Sequence, residues 1–261
     1  MRVYFIIAAL LCLWIAPAQG APRSDALRAT QFMRLPNWTG LWVSSAWKLG
    51  ISGRPVGDEH ALRANLQLIE APPYNAEWRQ RYQTALQDKA MMASRDATLR
   101  VCSRSFPALM EASWQFQIAA LPEETLMLFE NGQARHVYTD GRLHPSGDDI
   151  WPTPLGDSIG HWEGHTLVID TVERLSSEPV APRAWVSMLS DKAHFTERLR
   201  LVDANTLEDL LRIDDPAAFD HPWELNLRFT RVTEMNRMIP TDCVENDRNP
   251  VIDGQTVITA P

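Results

Sequence analysis

The sequence predicts an all-β fold with one or two peripheral helices, in which an antiparallel meander closes into a barrel or a strongly curved sheet. Three observations lead to this prediction. From residue 114 onward, apolar and polar residues alternate with the period of two that is typical of strands. Turn signals such as Asn131-Gly132 separate the alternating stretches. About eight such stretches follow one another at meander spacing, which favours a sheet that curves onto itself.

The first 20 residues are typical of a secretory signal peptide. Met1-Arg2 is a short basic start, an apolar stretch follows over residues 4–16, and Ala18-Gln19-Gly20 places small residues where a signal peptidase cuts. The apolar stretch is shorter than the roughly 20 residues that span a bilayer, and no later segment is better suited. We therefore predict cleavage before Ala21, a periplasmic or secreted protein, and no membrane span in the mature chain.

The charge balance of the mature chain limits its partners. Removal of Arg2 with the leader reduces the 25 basic side chains to 24, against 33 acidic ones. Nucleic acid and anionic lipid both require a basic face, so neither is an expected partner. The chain also has no glycine-rich dinucleotide motif or phosphate loop and no convincing zinc spacing among its histidines, and we predict no cofactor and no metal.

Two cysteines, Cys102 and Cys243, remain after cleavage. An oxidising compartment and an even count predict a disulfide between them. Two unrelated thiols are the alternative, because sequence spacing cannot show that the two residues meet.

Residues 21–261 are predicted to form one domain with an N-terminal helical extension, since no linker, repeat or low-complexity tract divides them. One helix is evident before the strands. Asn75 is its predicted cap, and its apolar face continues to about Met92. The residues of that face are Trp78, Tyr82, Leu86 and Ala90. A helix of this kind usually covers a sheet.

The strand predictions follow in chain order. An early strand contains Gly40-Leu41-Trp42, and a second contains Phe116 and Ile118. Residues 125–130 and 133–140 form a hairpin around Asn131-Gly132, and residues 158–163 and 166–172 form another around Gly164-His165. The last strands are residues 194–202, 206–213 and 223–231, with Asp203-Ala204-Asn205 as the turn between the first two of these.

The pleat of the last strand fixes its inward face, because alternate residues of a strand share a face. Those residues are Trp223, Leu225, Leu227 and Phe229. The same test places acids on inward faces elsewhere: Glu130 with Leu126 and Leu128, Glu197 with Phe195 and Leu199, and Asp209 with Leu207 and Leu211. An unpaired buried carboxylate is costly, so these acids must meet cations, hydrogen-bond donors or water.

Two interpretations of these acids remain open. In the first, Glu130 or Glu197 pairs with an arginine, such as Arg142 or Arg198, in a structural ion pair that plugs the barrel. In the second, the carboxylates line a cavity together with His136, Tyr138 and Asp140. Those three residues share the face of the return strand opposite Arg135 and Val137.

The cavity interpretation predicts acid–base chemistry, since titratable groups in clefts often perform it. The turn Asp140-Gly141-Arg142-Leu143-His144-Pro145 supports it, because the proline holds His144 extended at the barrel mouth. Capping of the neighbouring backbone is the alternative role for this histidine. The candidate catalytic residues are Glu130, His136, Tyr138, Asp140, His144 and Glu197.

The order of several motifs resembles a family of secreted bacterial proteins, most of them uncharacterised. The motifs are G-L-W near the mature start, D-G-R-x-H-P, S-I-G-x-W-E-G-x-T-L-V-x-D-T, T-E-R-L, D-D-P and a C-terminal C-x-E-N, and they cover residues 36–249 approximately. The resemblance implies a periplasmic, lipocalin-like β-fold and implies no reaction. It places Asp140, Arg142, His144, Ser158, Trp162, Glu163, Asp170, Glu197 and Arg198 at motif positions. His165 stands where the family usually has an acid.

In and beside these motifs lie the candidate ligand-binding residues, which are Arg142, Asp157, Ser158, Trp162 and Arg198. Some of them have simpler interpretations. Asp157 and Ser158 are placed to close an Asx turn, and Trp162 is placed to pack.

Two functions therefore stay open. The first is a cofactor-independent enzyme, a lyase, isomerase or hydratase, that moves a proton on a small, partly apolar or aromatic molecule. The alternative is a carrier that binds a small hydrophobic ligand without changing it, as barrel mouths do. An all-β chain would not supply the scaffold of a serine hydrolase of the α/β type, whereas Glu130 and Glu197 leave a glycosidase pair possible. The sequence does not indicate an oligomeric state.

Overall fold

The computed structural model describes residues 25–45, 48–49, 55–56, 72–87, 105–110, 115–175, 188–239, 251–252 and 255–256. Its helices are α1 (Asp25–Phe32) and α2 (Ala76–Gln87), with a short 3₁₀ helix at Gly147–Asp149. Its strands are β1 (Leu41–Ser44), β2 (Lys48–Leu49), β3 (Pro55–Val56), β4 (Phe116–Ala120), β5 (Glu124–Phe129), β6 (Ala134–Tyr138), β7 (Asp157–Glu163), β8 (Thr166–Val172), β9 (His194–Asp203), β10 (Thr206–Asp214), β11 (Trp223–Val232), β12 (Val251–Ile252) and β13 (Gln255–Thr256).

Nine of these strands form one sheet that closes into a ring of hydrogen-bonded neighbours, in the order β1-β11-β10-β9-β8-β7-β6-β5-β4 and back to β1. The pairs β2–β3 and β12–β13 are separate two-stranded pieces. The prediction of an all-β fold with few helices is confirmed. The nine-stranded sheet is called the ring below.

One junction of the ring departs from the predicted antiparallel meander. β6 and β7 run parallel and pair at a single position, Tyr138 with Ile159, while the other neighbours are antiparallel. The departure has a geometric cause, because strand directions alternate around an antiparallel ring and an odd number of strands cannot alternate all the way round. The prediction of antiparallel pairing throughout residues 114–231 is wrong at this junction, where residues 139–156 connect the two strands.

Both predicted hairpin turns are confirmed. Gly132 has φ 84° and follows Glu130-Asn131 in a three-residue loop, in which the N–H of Phe129 donates to the carbonyl of Gln133 at 2.9 Å. Gly164 has φ 62° in the two-residue loop between β7 and β8. Both glycines adopt a left-handed conformation that other residues rarely take.

The core lies inside the ring, against α2 and the segment 105–110. Trp223, Leu225, Leu227 and Phe229 are buried, as their alternation predicts. Phe229 meets Phe116 edge-on, with ring centroids 5.1 Å apart. The cap of α2 is also confirmed, since the N–H of Trp78 donates to Oδ1 of Asn75 at 3.0 Å. The predicted continuation of this helix to Met92 lies outside the described residues.

The predicted faces of β5 and β6 are wrong. In β5 the buried residues are Thr125, Met127 and Phe129, so Leu126, Leu128 and the acid after them, Glu130, are on the outer side. In β6 the buried residues are Arg135 and Val137, and the side chain of His136 is 50 % exposed. Apolar residues occupy both faces of β5, so alternation cannot select one. In β6 a buried cation takes an inward position because a carboxylate inside the ring pairs with it.

Two further predictions concern residues outside the described part of the chain. These are cleavage after residue 20 and the disulfide between Cys102 and Cys243. They stay predictions. Among the helices that the structure describes, none is long and apolar enough to cross a bilayer.

Candidate functional site

A polar cluster inside the ring binds both Nη atoms of the buried arginine of β6. Arg135 donates through Nη1 to Glu197 Oε1 at 2.8 Å and through Nη2 to Glu197 Oε2 at 2.5 Å. Nη2 also reaches the hydroxyl oxygens of Ser158, at 3.3 Å, and Thr171, at 3.0 Å, which lie 2.8 Å from each other. The ring of Phe106 lies under the guanidinium at 3.9 Å. The four residues Arg135, Ser158, Thr171 and Glu197 are called the polar cluster below.

The cluster contains a structural ion pair of Glu197, which was the first of the two interpretations of the inward acids. The arginine in that pair is not one of the two suggested from the sequence. Glu197 is fully buried and its cation is Arg135, whereas Arg198 pairs with Glu163 on the surface and Arg142 pairs with Asp140. A bidentate guanidinium–carboxylate contact is among the strongest hydrogen-bonded pairs in proteins. The pair therefore anchors β6 to β9 across the interior of the ring.

A second buried cation, Arg174, is separated from this cluster by two aromatic rings. Phe106 meets Phe195 edge-on at 5.0 Å, and the guanidinium of Arg174 lies 5.9 Å from the ring of Phe195. Burial lowers the pKa of Arg174 to about 10, against the opposing charge of Asp215. Asp215 itself accepts hydrogen bonds from the N–H and hydroxyl of Ser190, both at 2.7 Å. Charges and aromatic rings thus fill this part of the interior.

A cleft of about 350 Å³ opens on the outside of the ring, between β6 and the chain that enters β7. It lies where the ring is least closed, because β6 and β7 pair at one position only and separate on the side of Ala134. Its lining residues are Gln133, Ala134, Arg135, His136, Tyr138, Thr153, Pro154, Leu155, Gly156, Asp157 and Ser158. Two of them, Arg135 and Ser158, also belong to the polar cluster. The cluster therefore forms the inner boundary of the cleft.

The β6 wall of the cleft carries a stack of three side chains. His136 stacks on Tyr138 with ring centroids 6.1 Å apart, and the guanidinium of Arg142 lies 3.8 Å from the Tyr138 ring. Arg142 binds Asp140 at 2.7 Å and holds the pKa of that carboxyl below its usual range, chiefly through this hydrogen bond. Nδ1 of His136 is 2.6 Å from Glu124 Oε1. The charged groups of this wall are therefore paired with each other.

The opposite wall begins a chain of hydrogen bonds between carboxylates and imidazoles. Asp157 Oδ1 is 2.6 Å from His144 Nδ1, His144 Nε2 is 2.8 Å from Asp170 Oδ1, and Asp170 Oδ2 is 2.7 Å from His194 Nε2. We call these four residues the imidazole chain. A carboxylate only accepts, so His144 serves both partners when both of its nitrogens carry hydrogen. Among the described residues, His144 is the one hydrogen-bond partner of the Asp157 side chain, and Asp157 lines the cleft.

Neighbouring strands assemble the imidazole chain on the outer face of the ring. Asp157 begins β7, Asp170 lies in β8 between the inward residues Ile169 and Thr171, and His194 begins β9. His144 reaches them from the connection between β6 and β7. Its side chain is 20 % exposed, compared with 47 % for His194. The chain thus leads from the cleft toward open solvent.

The structure brings most of the predicted site residues to this region. His136, Tyr138, Asp157 and Ser158 line the cleft, Asp140 and Arg142 lie at its β6 end, and His144 contacts Asp157. Glu197 lies behind the cleft in the polar cluster. Arg135 and His194 are not among the site residues predicted from the sequence, and Asp170 is predicted only as a motif position. Arg135 could have been found from its position, since it shares a face of β6 with the apolar Val137. No sequence pattern identifies His194, which stands at the start of β9.

Three predicted site residues lie elsewhere. The N–H of Gln115 donates to Glu130 Oε2 at 3.3 Å, at the hairpin end of β5. Trp162 packs against Trp38, with ring centroids 5.1 Å apart, as its simpler interpretation predicts. Arg198 donates to Glu163 at 2.7 Å on the surface. Since Glu130 is not inward, it does not face Glu197, and the glycosidase pair has no geometric support.

Within the described ranges, no three or more His, Cys, Asp or Glu side chains are grouped so that they could hold a metal ion. In the imidazole chain, carboxylates and imidazoles alternate as donors and acceptors instead of converging on one point.

Gly156 shapes the wall next to Asp157, and its replacement by alanine should be costly. It has φ 74°, and a Cβ there would lie 2.6 Å from the carbonyl oxygen of Val172 and 2.8 Å from Cγ2 of Thr171. Gly147 also has a positive φ, 62°, but a Cβ there meets nothing within 4 Å. We expect Gly156→Ala to lower the free energy of unfolding by about 2 to 4 kcal/mol, from backbone strain plus overpacking, and Gly147→Ala by about 1 kcal/mol, from strain alone. Urea denaturation of both variants measures the difference, and equal losses would contradict the proposed contact.

Models of known protein families were compared with the chain, and none matches. No curated protein matches it significantly.

Proposed function

We propose that the cleft binds a small, partly apolar or aromatic molecule and that Asp157 exchanges a proton with it. The observation that carries this proposal is the position of Asp157. One of its oxygens is held by His144 at 2.6 Å, and the residue lines the cleft. A general base must lie within hydrogen-bond reach of the proton that it takes, and a carboxylate held at one oxygen presents the other in a fixed direction.

In the proposed reaction, Oδ2 of Asp157 takes a proton from the bound molecule and returns it to a different atom of the same molecule. When the second atom is a carbon, the electron pair of the broken C–H bond shifts a double bond of the molecule, and the molecule isomerises. When it belongs to a leaving group, that electron pair forms a double bond while the bond to the leaving group breaks, and the group departs with the proton. No proton is gained or lost overall. His144 acts as a positioning residue, since its hydrogen bonds to Asp157 and Asp170 fix the direction of the carboxylate.

The walls support a ligand that is apolar in part. Ala134, Pro154 and Leu155 line the cleft beside the aromatic ring of Tyr138. These same residues favour the second candidate function, a carrier that binds the molecule without changing it. Both functions use the cleft outside the ring, because aromatic rings and paired charges fill the described interior.

An exchange experiment in deuterium oxide separates the two functions. The protein is incubated with a small-molecule extract, and retained compounds are identified by native mass spectrometry. Each retained compound is then incubated with catalytic amounts of the protein in deuterium oxide. A proton-transferring enzyme should incorporate deuterium into its ligand at least 10²-fold faster than buffer does. Retention without deuteration supports the carrier, and retention of nothing would remove the cleft as a ligand site.

The location of the protein is part of the proposal. The N-terminal signal pattern and the resemblance to secreted bacterial proteins support export to the periplasm or beyond. We expect intact-mass analysis of the exported protein to give a chain that begins at Ala21, and alkylation without reduction to leave Cys102 and Cys243 unmodified. Two alkylated thiols in the exported protein would contradict the disulfide, and an intact leader would contradict the export.

A further inference from the structure

The connection between β6 and β7 contacts both walls of the cleft. Its start packs on the β6 wall, where the guanidinium of Arg142 lies 3.8 Å from the Tyr138 ring. Two residues later, His144 binds Asp157 on the β7 wall at 2.6 Å. The positive charge of Arg142 also interacts with the Asp157 carboxylate. Residues 142–144 therefore bridge the two walls at the end where Tyr138 and Asp157 lie.

This connection has few attachments to the rest of the protein. Between Asp140 and Pro152, the hydrogen bonds from described residues that leave the segment all come from the imidazole of His144, to Asp157 and to Asp170. The others stay within the segment, such as those from Arg142 to Asp140 and from Ile150 to Gly147. Backbone bonds to the fold resume only at Thr153, which exchanges hydrogen bonds with Glu173 and Leu175.

The exposure of its large apolar side chains also distinguishes this segment from a packed loop. Leu143 is 85 % exposed and Trp151 is 82 % exposed, although both are large and apolar. Gly141, with φ 86° and open space around its α-carbon, stands at one end of the segment. Local opening costs least where few apolar side chains are buried and few hydrogen bonds cross to the core.

We infer that residues 140–152 form a strap across the mouth of the cleft, and that the two hydrogen bonds of the His144 ring are the latch that keeps it closed. When the latch breaks, the strap moves as a unit about its ends and uncovers Tyr138 and Asp157, the two cleft residues that it contacts. A ligand enters while the latch is open, so entry and unlatching are linked. The inference rests on the cleft of the proposed function but not on catalysis, and it holds equally for a carrier.

Two measurements on the full chain test the strap without any ligand. Hydrogen–deuterium exchange reports the opening of residues 140–152. Alkylation by iodoacetamide of an Ala134→Cys variant, quantified by peptide mapping to separate it from the native cysteines, reports access to the cleft, which Ala134 lines. His144→Phe keeps a planar ring and removes both hydrogen bonds. The matched control is His161→Phe, since His161 is an exposed histidine with one contact, 3.3 Å from Glu163.

We expect His144→Phe to raise both the exchange rate of residues 140–152 and the alkylation rate at position 134 at least tenfold, and His161→Phe to change neither. Asp170→Asn, which weakens one of the two bonds, should give a smaller rise in both. Unchanged exchange in the segment would overturn the latch. Faster exchange with unchanged alkylation would overturn the strap as a cover for the cleft. An equal rise in exchange across β9, β10 and β11 would overturn it as well, because His144 would then hold the ring and not the strap.

Discussion

Replacement of Glu197 by alanine should lower the free energy of unfolding by about 3 to 5 kcal/mol, because it leaves a buried guanidinium without its counter-charge. The side chains of Glu197 and Arg135 are 0 % and 1 % exposed, so water cannot replace the lost carboxylate. The hydroxyl groups of Ser158 and Thr171 would remain as partners of Arg135, but they carry no charge. Urea denaturation followed by tryptophan fluorescence measures the loss.

A double variant separates the effect of the two charges from the effect of the volume that the two side chains fill. Arg135→Met combined with Glu197→Leu removes both charges and keeps similar volumes, and such replacements are often neutral or stabilising. We expect this variant to be within about 2 kcal/mol of the wild type. The surface pair Arg198–Glu163 is the matched control, since both of its side chains are close to half exposed. Arg198→Ala should cost less than about 1 kcal/mol. A double variant as unstable as Glu197→Ala would show that the site tolerates no apolar filling and that charge pairing is not the cause.

The sequence predicts the strands well where one face is apolar and the other polar. The alternation in Trp223, Leu225, Leu227 and Phe229 is unambiguous, and the structure buries all four. The predicted and observed limits of β7, β8, β9, β10 and β11 agree within one residue. In these strands local pattern and tertiary burial favour the same face, so the periodicity of the chain is sufficient to assign it.

The same test fails where burial depends on a distant partner. Arg135 points inward because Glu197, 62 positions later in the chain, meets it with two hydrogen bonds. Nothing in the sequence near β6 indicates that partner, so a rule that places charges outside assigns the strand to the wrong face. His136 and Tyr138 are then predicted to be inside the ring, although they lie on its outer wall.

Two residues of the candidate site are predictable from their neighbours in the sequence. His144 and Asp157 stand out because a proline restricts one and a turn precedes a strand at the other. Their contact depends on the parallel junction of β6 and β7, which lets the connecting segment cross the cleft. Asp170 and His194 join them from adjacent strands of the ring. Strand order is a long-range property, and local periodicity does not contain it.

Replacement of Asp157 by asparagine should reduce deuterium incorporation into the ligand by about 10² to 10⁴-fold, the usual contribution of a general base. Asparagine has nearly the shape of aspartate, and its carbonyl oxygen can still accept the hydrogen bond from His144. An amide cannot take a proton from a ligand at neutral pH, however. We therefore expect the variant to retain the ligand in native mass spectrometry while exchange stops. Its stability should change by less than about 1 kcal/mol, since the side chain of Asp157 is 27 % exposed and its contact with His144 lies near the surface.

The matched control for this prediction is Asp149→Asn, because Asp149 is an exposed acid in the same connecting segment and does not line the cleft. It should leave both retention and exchange unchanged. If Asp157→Asn loses retention together with exchange, the carboxylate is a binding group and the carrier is the better account. If it loses neither, proton transfer does not pass through Asp157. The hydrogen bond of this carboxylate to His144 would then serve only to hold the connecting segment against the β7 wall.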